Sequence, residues 1–255
     1  MQESNKLTTK EFWSDGWKDI HLPARYFYND YSRKIIASLL EKVIPLSAVS
    51  FLEIGGCPGR WADFFHTKYK MVSDSMDYDE NNIEILKENY RLIGINGEVF
   101  LGDITDTNVK PDRKYDVVLS EGLIEHFIDS KDVFENHLKY LKSGGILIIG
   151  VPNIKKSWLY DYFARFDARG YVGYRHVGKS ELEGYAKKCD LEILYCGYTG
   201  VFNLGVAYTN ELGFILGKVY IVASLVSSFF LNLLRIKRET RFFSPYIYLI
   251  ARKYE

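Results

Sequence analysis

The sequence predicts an α/β protein built on an open, mostly parallel sheet with helices on both faces. Three observations carry that expectation. Short apolar runs alternate with segments of helical periodicity, the first such run ends in a glycine-rich turn, and no repeat or low-complexity linker interrupts the pattern. With 255 residues, 47% of them apolar and 26% charged, the chain is long enough to bury a core and is neither disordered nor collagen-like in composition.

The elements follow in order. Ile35, Ile36, Leu39, Leu40 and Val43 recur at helical spacing within 24–44, and Pro45 stops that helix. Ala48–Ile54 is a buried strand running into a glycine-rich turn, and Gly59–Tyr69 is the helix after it. Met71–Met76 is a second strand, with Asp79 placed to cap a helix over 80–93. Strands are expected at Glu98–Leu101, Tyr115–Ser120 and Ile146–Val151, the last preceded by a helix that Ser130 caps and Gly144-Gly145 ends. Ser180-Glu-Leu-Glu183 reads as a capping box opening a helix to about Lys188, followed by strands at Leu191–Tyr195 and Tyr246–Ala251. In such sheets ligands bind beyond the carboxyl ends of the strands.

Charge and cysteine usage narrow the function classes. Thirty-three Lys and Arg balance thirty-three Asp and Glu, so no global positive field attracts nucleic acid. Cys57, Cys189 and Cys196 are too few and too scattered for a disulfide scaffold or a zinc site, and fit a reducing cytosol. The polar N-terminus leads into no apolar secretory segment, so the expected location is cytoplasmic.

The chemistry sits in Phe51-Leu-Glu-Ile-Gly-Gly-Cys-Pro-Gly-Arg-Trp61, a strand that delivers Glu53 to a glycine-rich elbow. A dinucleotide fingerprint fails, because Gly55 is followed at the required spacing by Cys57 and Arg60, and no Gly-Lys-Ser/Thr follows for a P-loop. The segment resembles instead the first motif of the class I S-adenosylmethionine-dependent methyltransferase family, as found in bacterial small-molecule and polysaccharide-cluster members. Glu53, Gly55, Cys57 and Gly59 stand at its acidic-x-Gly-x-Gly-x-Gly positions, with Cys57 replacing the middle glycine and Gly56 beside it. Three further segments match in order: Met76-Asp-Tyr-Asp79, Leu101-Gly-Asp-Ile104 and Tyr115-Asp-Val-Val-Leu-Ser-Glu-Gly122.

The resemblance implies a Rossmann-like seven-stranded methyltransferase sheet, mostly parallel with an antiparallel last strand. It implies S-adenosyl-L-methionine as cofactor, with S-adenosyl-L-homocysteine as product. On this reading Asp77 accepts from both ribose hydroxyls, as a carboxylate suits a vicinal diol, and Tyr78 lies beside it. Asp103 accepts from the adenine amino group and Ile104 packs on the ring, while the backbone around Ser120, Glu121 and Gly122 passes the sulfonium. Candidate bases toward an oxygen or amine acceptor are His126, Glu121 and His176. Glu125-His126 invites comparison with the Glu-x-x-Glu-His metal element of quinone-precursor O-methyltransferases. Here the upstream position is Gly122, with Glu121 one residue off, so no metal is expected and Glu125 and His126 are read as fixing the loop.

The expected organisation is a helical lid over 1–46, a cofactor-binding domain over 47–200 plus 244–255, and an apolar helical insertion over 201–243. The lid is rich in aromatics (Phe12, Trp13, Trp17, Tyr26, Phe27, Tyr28, Tyr31) and either closes over the cofactor or packs as an ordinary helix. Within the insertion, 213–234 is apolar nearly all round apart from Lys218, and Arg235, Lys237, Arg238 and Arg241 follow. Packing on the domain, packing on a second subunit as a homodimer, peripheral membrane contact through 213–241 and a true span compete; spanning is disfavoured because the chain must return to the sheet. The functional expectation is methyl transfer to a small-molecule, saccharide or lipid-linked acceptor. The alternative is a non-catalytic binding or assembly module on the same fold.

Overall fold

The computed structural model describes residues 5–28, 30–106, 112–165, 171–203 and 239–254, with some of the residues between 219 and 235. The strands are β1 (Ser50–Ile54), β2 (Val72–Asp77), β3 (Val99–Leu101), β4 (Tyr115–Glu121), β5 (Leu141–Pro152), β6 (Leu191–Thr199) and β7 (Tyr246–Lys253). They form one seven-stranded sheet in the order β3-β2-β1-β4-β5-β7-β6. The inner pairings are parallel, and β7 runs antiparallel to both β5 and β6. The reversal of strand order between β1 and β4 opens the crevice where an α/β sheet binds ligands.

The helices named below are α1 (Lys10–Trp17), α2 (Tyr31–Val43), α3 (Arg60–Tyr69), α4 (Glu80–Ile93), α5 (Lys131–His137), α6 (Trp158–Ala164) and α7 (Lys179–Lys188). Two cores flank the sheet because alternate strand residues face opposite sides. Val117 and Leu119 of β4 pack with Phe51, Leu40, Phe65 and Leu86 on the α2–α3–α4 side. Val118 joins Leu52, Phe134, Leu147 and Leu182 on the α5–α7 side.

Asp79 caps α4 as its position suggests, accepting from the Asn81 backbone N–H. Three helix-end expectations are corrected. The helix from Ser130 stops at His137 rather than running to Gly144-Gly145, because the chain must turn there to lay Leu141 beside Tyr115 as the start of β5. Ser130 also makes no cap bond; its hydroxyl donates to the Ile124 carbonyl instead. The Ser180–Glu183 capping box does not form: α7 starts one residue before Ser180, with Gly178 as its cap. The long strand β5 absorbs Lys142-Ser-Gly-Gly145, with Gly144 in the left-handed region at φ 71° and Lys142 paired to Asp116 at 2.9 Å.

Residues 213–218 lie outside the described residues. Of those described between Val219 and Leu233, all are helical, and their large apolar side chains face outward. Among the described residues, no helix is long and apolar enough to cross a membrane.

Candidate active site

The glycine elbow after β1 is shaped by the side chains around it. Gly59 caps α3 at φ 90° and has no side chain to satisfy the first turn. Glu53, projecting from β1, supplies that bond: its Oε2 accepts from the Ala62 backbone N–H at 2.9 Å. A Cβ at Gly56 would lie 2.1 Å from Glu53 Cγ, so only glycine lets the carboxylate reach across. Burial pushes the Glu53 carboxyl up to about 8, against the lowering effect of the backbone donors at Ala62 and Trp61. At Gly59 a Cβ would meet Leu86 and Tyr90 of α4 at 3.1 Å, so that glycine serves close helix packing rather than ligand approach. Cys57 is buried at the elbow, with Sγ 3.9 Å from the Asn82 carbonyl and its thiol pushed up by burial. It therefore behaves as a small apolar filler.

A cavity of about 680 Å³ opens beyond these strand ends, lined among others by Glu53, Gly55, Gly56, Cys57, Asp77, Tyr78, Asn82, Glu121, Gly122 and Glu125. That volume falls in the range of small-molecule sites. Asp77 ends β2 in its wall. Its Oδ1 accepts from the Asp79 backbone N–H at 3.0 Å and from Asn82 Nδ2 at 3.3 Å, which leaves Oδ2 outside both bonds. Burial pushes this carboxyl up to about 6. Beside it, Asn82 Oδ1 is buried with no hydrogen-bond partner. Two acceptors thus stand together without their full complement of donors, which a pair of adjacent hydroxyls would supply.

A smaller cavity of about 40 Å³ adjoins the first, lined by Met76, Gly102, Asp103, Ile104 and Leu123, with Lys6, Thr8 and Trp13 across it. The N-terminal segment holds this position through the Lys6–Phe127 bridge, the Leu7 N–H bond to the His126 carbonyl, and a 2.5 Å bond from the Ser14 hydroxyl to Asp79. Asp103 is engaged on both oxygens: Lys6 pairs with Oδ2 at 2.7 Å, and the Thr105 backbone and hydroxyl donate to Oδ1. Burial raises its proton affinity, but the Lys6 and Thr105 bonds outweigh burial and leave the carboxyl below the usual range.

The candidate bases fall into three different settings. Glu121 ends β4 on the α2–α3 side, paired with Arg33 at 2.6 Å and accepting from Trp61 Nε1 at 3.2 Å and from the Tyr248 hydroxyl. Tyr246 lies 3.0 Å from the same guanidinium. So many donors commit both Glu121 oxygens and make it a structural anchor. His126 donates from Nδ1 to the Gly173 carbonyl at 2.6 Å and is pushed down to about 4 by burial, which leaves it a weak base. His176 lines neither of these two cavities. The Ser120 side chain points to the face opposite Glu121, where its hydroxyl meets His137 Nε2 at 2.9 Å, because neighbouring strand residues alternate sides.

Glu125 is the residue that sequence reasoning undervalued. It sits in the single 3-10 turn after β4, lines the large cavity, and is buried with neither carboxylate oxygen hydrogen-bonded. Its own neighbourhood in sequence carries no signal of this, since the missing partner is a property of the packed site.

The switch point, the elbow and the acid at the end of β2 together define a nucleotide-cofactor transferase of the α/β class. The methyltransferase-domain family matches residues 24–195, and the chain belongs to it; its cofactor is S-adenosylmethionine. No curated protein matches the sequence. The fold is similar to that of the YcgJ protein from Bacillus subtilis, with TM-score 0.60, 15% identity and coverage of 87% of this chain and 99% of that one. It is also similar to coclaurine N-methyltransferase bound to N-methylheliamine and S-adenosylhomocysteine, with TM-score 0.59, 14% identity and coverage of 87% and 72%. An O-methyltransferase family protein from Burkholderia thailandensis matches with TM-score 0.59, 12% identity and coverage of 96% and 60%.

Proposed function

We propose that the chain methylates an oxygen or nitrogen of a small-molecule, saccharide or lipid-linked acceptor held in the inner part of the large cavity. The observation that carries this reading is the pairing of Asp77 with the unpartnered Asn82 Oδ1 beside the Gly55–Cys57 elbow. S-adenosylmethionine, when bound, supplies a methyl group on an electrophilic sulfonium. Asp77 and Asn82 would take the ribose hydroxyls, and Gly55 and Gly56 would let the backbone approach closely. Glu53 would keep the first turn of α3 in place from below, and the Arg33–Glu121 pair would hold the end of β4. Ile104 would pack on the adenine. Trp13, Trp17 and Tyr26 line the cavity and would favour a cation while excluding water. Residues 5–17 would act as a cover, with Lys6 giving up Asp103 when the adenine amino group arrives. Calorimetry with S-adenosylhomocysteine and with NAD tests the assignment: tight binding of the former alone is expected, and binding of neither would refute it.

The same reading extends to a peripheral membrane contact through 213–241, in a protein otherwise on the cytoplasmic side. What supports it is the outward exposure of Val222, Val226, Phe229, Phe230 and Leu233 on one helical stretch, with Arg235 and Arg241 following. Flotation with anionic liposomes, with and without residues 212–241, should show binding only for the intact chain.

A further inference from the structure

We propose that Glu125 is the acceptor-binding residue of this site and that the group it takes is a primary amine, whose proton it removes before methyl transfer. The proposal rests on the methyltransferase reading and narrows it to a substrate class.

The geometry starts from an imbalance. Both Glu125 oxygens are buried and lack any hydrogen-bond partner, a state that costs free energy unless a ligand or a proton relieves it. The cations lining the cavity are engaged elsewhere: Arg33 is paired with Glu121, and Arg60 lies over the Phe27 ring at 4.0 Å. His126 Nε2 is 3.9 Å from Oε1, too far for a hydrogen bond, and its ring is neutral near neutral pH. Arg175 meets Glu125 only through its backbone N–H to the Glu125 carbonyl, and its guanidinium is committed to Glu181.

Position and chemistry then select the ligand. Glu125 Oε1 lies 3.7 Å from where a Cβ on Gly122 would stand, so the carboxyl sits against the backbone that ends β4. A hydroxyl acceptor has one proton and could satisfy one oxygen. A primary ammonium carries three N–H donors and could satisfy both. The surrounding wall, with Tyr171, Tyr174 and Tyr246, is one on which a cation is stable. Burial pushes the Glu125 carboxyl up to about 8, against the lowering effect of its own backbone N–H, with Glu121 adding to the rise and Arg175 opposing it. It is therefore a stronger base than an ordinary carboxylate and suited to accept an ammonium proton.

The step balances simply. The bound ammonium favours the ionised carboxyl, whose own proton leaves to solvent; Glu125 then takes one proton from R–NH3+, the freed nitrogen lone pair forms the N–CH3 bond, and the C–S bond breaks with its electron pair staying on sulfur. The product leaves as R–NH2+–CH3, and the proton on Glu125 passes to solvent.

The test compares the full-length wild type with Glu125→Gln and Glu125→Asp. Thermal denaturation from pH 5 to 8.5 gives a readout free of activity. If Glu125 is a buried acid without a partner in the fold, E125Q gains stability relative to wild type as pH rises through this range. A Gln variant that loses stability relative to wild type as pH rises would mean that Glu125 has a structural partner, and would overturn the proposal. Incubation of a small-molecule extract with methyl-tritiated S-adenosylmethionine, followed by cation exchange, reads the substrate class. Label is expected in basic products, falling about 100-fold or more in E125Q and partly restored in E125D, with S-adenosylhomocysteine affinity kept. Label confined to neutral or acidic products, or undiminished in E125Q, would overturn the amine assignment and leave methyl transfer standing. Failure of the wild type to bind S-adenosylhomocysteine would remove the broader reading itself.

Discussion

Lys6 Nζ lies 2.7 Å from Asp103 Oδ2, tying the N-terminal segment to the acid after β3, 97 residues away. The family resemblance gives that same acid to the adenine amino group, and on the proposed reading the lysine and the cofactor would compete for it. Removing the lysine should favour the cofactor. Lys6→Met is expected to tighten S-adenosylhomocysteine binding by about two- to five-fold, since a partly exposed pair contributes roughly 0–1 kcal/mol. Calorimetry decides; weaker binding in K6M would mean that Lys6 helps hold the ligand.

Asp77 should matter more than any other single side chain for cofactor affinity. Hydrogen bonds to a charged acceptor contribute about 1.5–3 kcal/mol, so Asp77→Ala should weaken S-adenosylhomocysteine binding by about 10- to 100-fold. Circular dichroism should confirm that the variant is folded. In the wild type, affinity should also fall as pH drops through about 6, where this carboxyl takes up a proton.

Glu53 makes stability depend on pH in an unusual direction for an acid. Its carboxyl sits at about 8 in the fold because of burial, against an ordinary value of 4.5. The folded state therefore holds a proton that the unfolded state has released, and stability falls as pH rises through that interval. Glu53→Gln keeps an oxygen for the Ala62 N–H and removes the titration. Urea denaturation from pH 5 to 8 should give a flatter stability profile for E53Q than for wild type.

Arg33 and Glu121 should behave as a unit. Both side chains are largely buried, and the carboxylate also receives Trp61 and Tyr248. Arg33→Met alone leaves a buried charge unpaired and should cost about 3–5 kcal/mol. Arg33→Met combined with Glu121→Met should recover much of that loss. Equal urea midpoints for the single variant and wild type would show that the pair contributes nothing to stability.

How far the fold was legible depended on the range of the forces involved. The strand–helix alternation, the Asp79 cap and the Gly55–Gly59 elbow follow from local periodicity and backbone freedom, and each stands where the sequence places it. The helix after Ser130 was misjudged in length because its end answers to a strand pairing, Leu141 with Tyr115, that no local pattern records.

The sequence by itself determined the class of fold and the glycine elbow after β1, because hydrophobic alternation and glycine spacing are written along the chain; the cofactor roles of Glu53 and Asp77 are what the family resemblance implies. Only the tertiary structure decided which carboxylates are free. Glu121 and Glu125 are four positions apart and chemically alike, yet one meets an arginine from α2 and two rings from elsewhere, and the other's oxygens have no hydrogen-bond partner among the described residues. Which carboxylate is engaged depends on partners brought in by packing, and those come from residues up to 127 positions away.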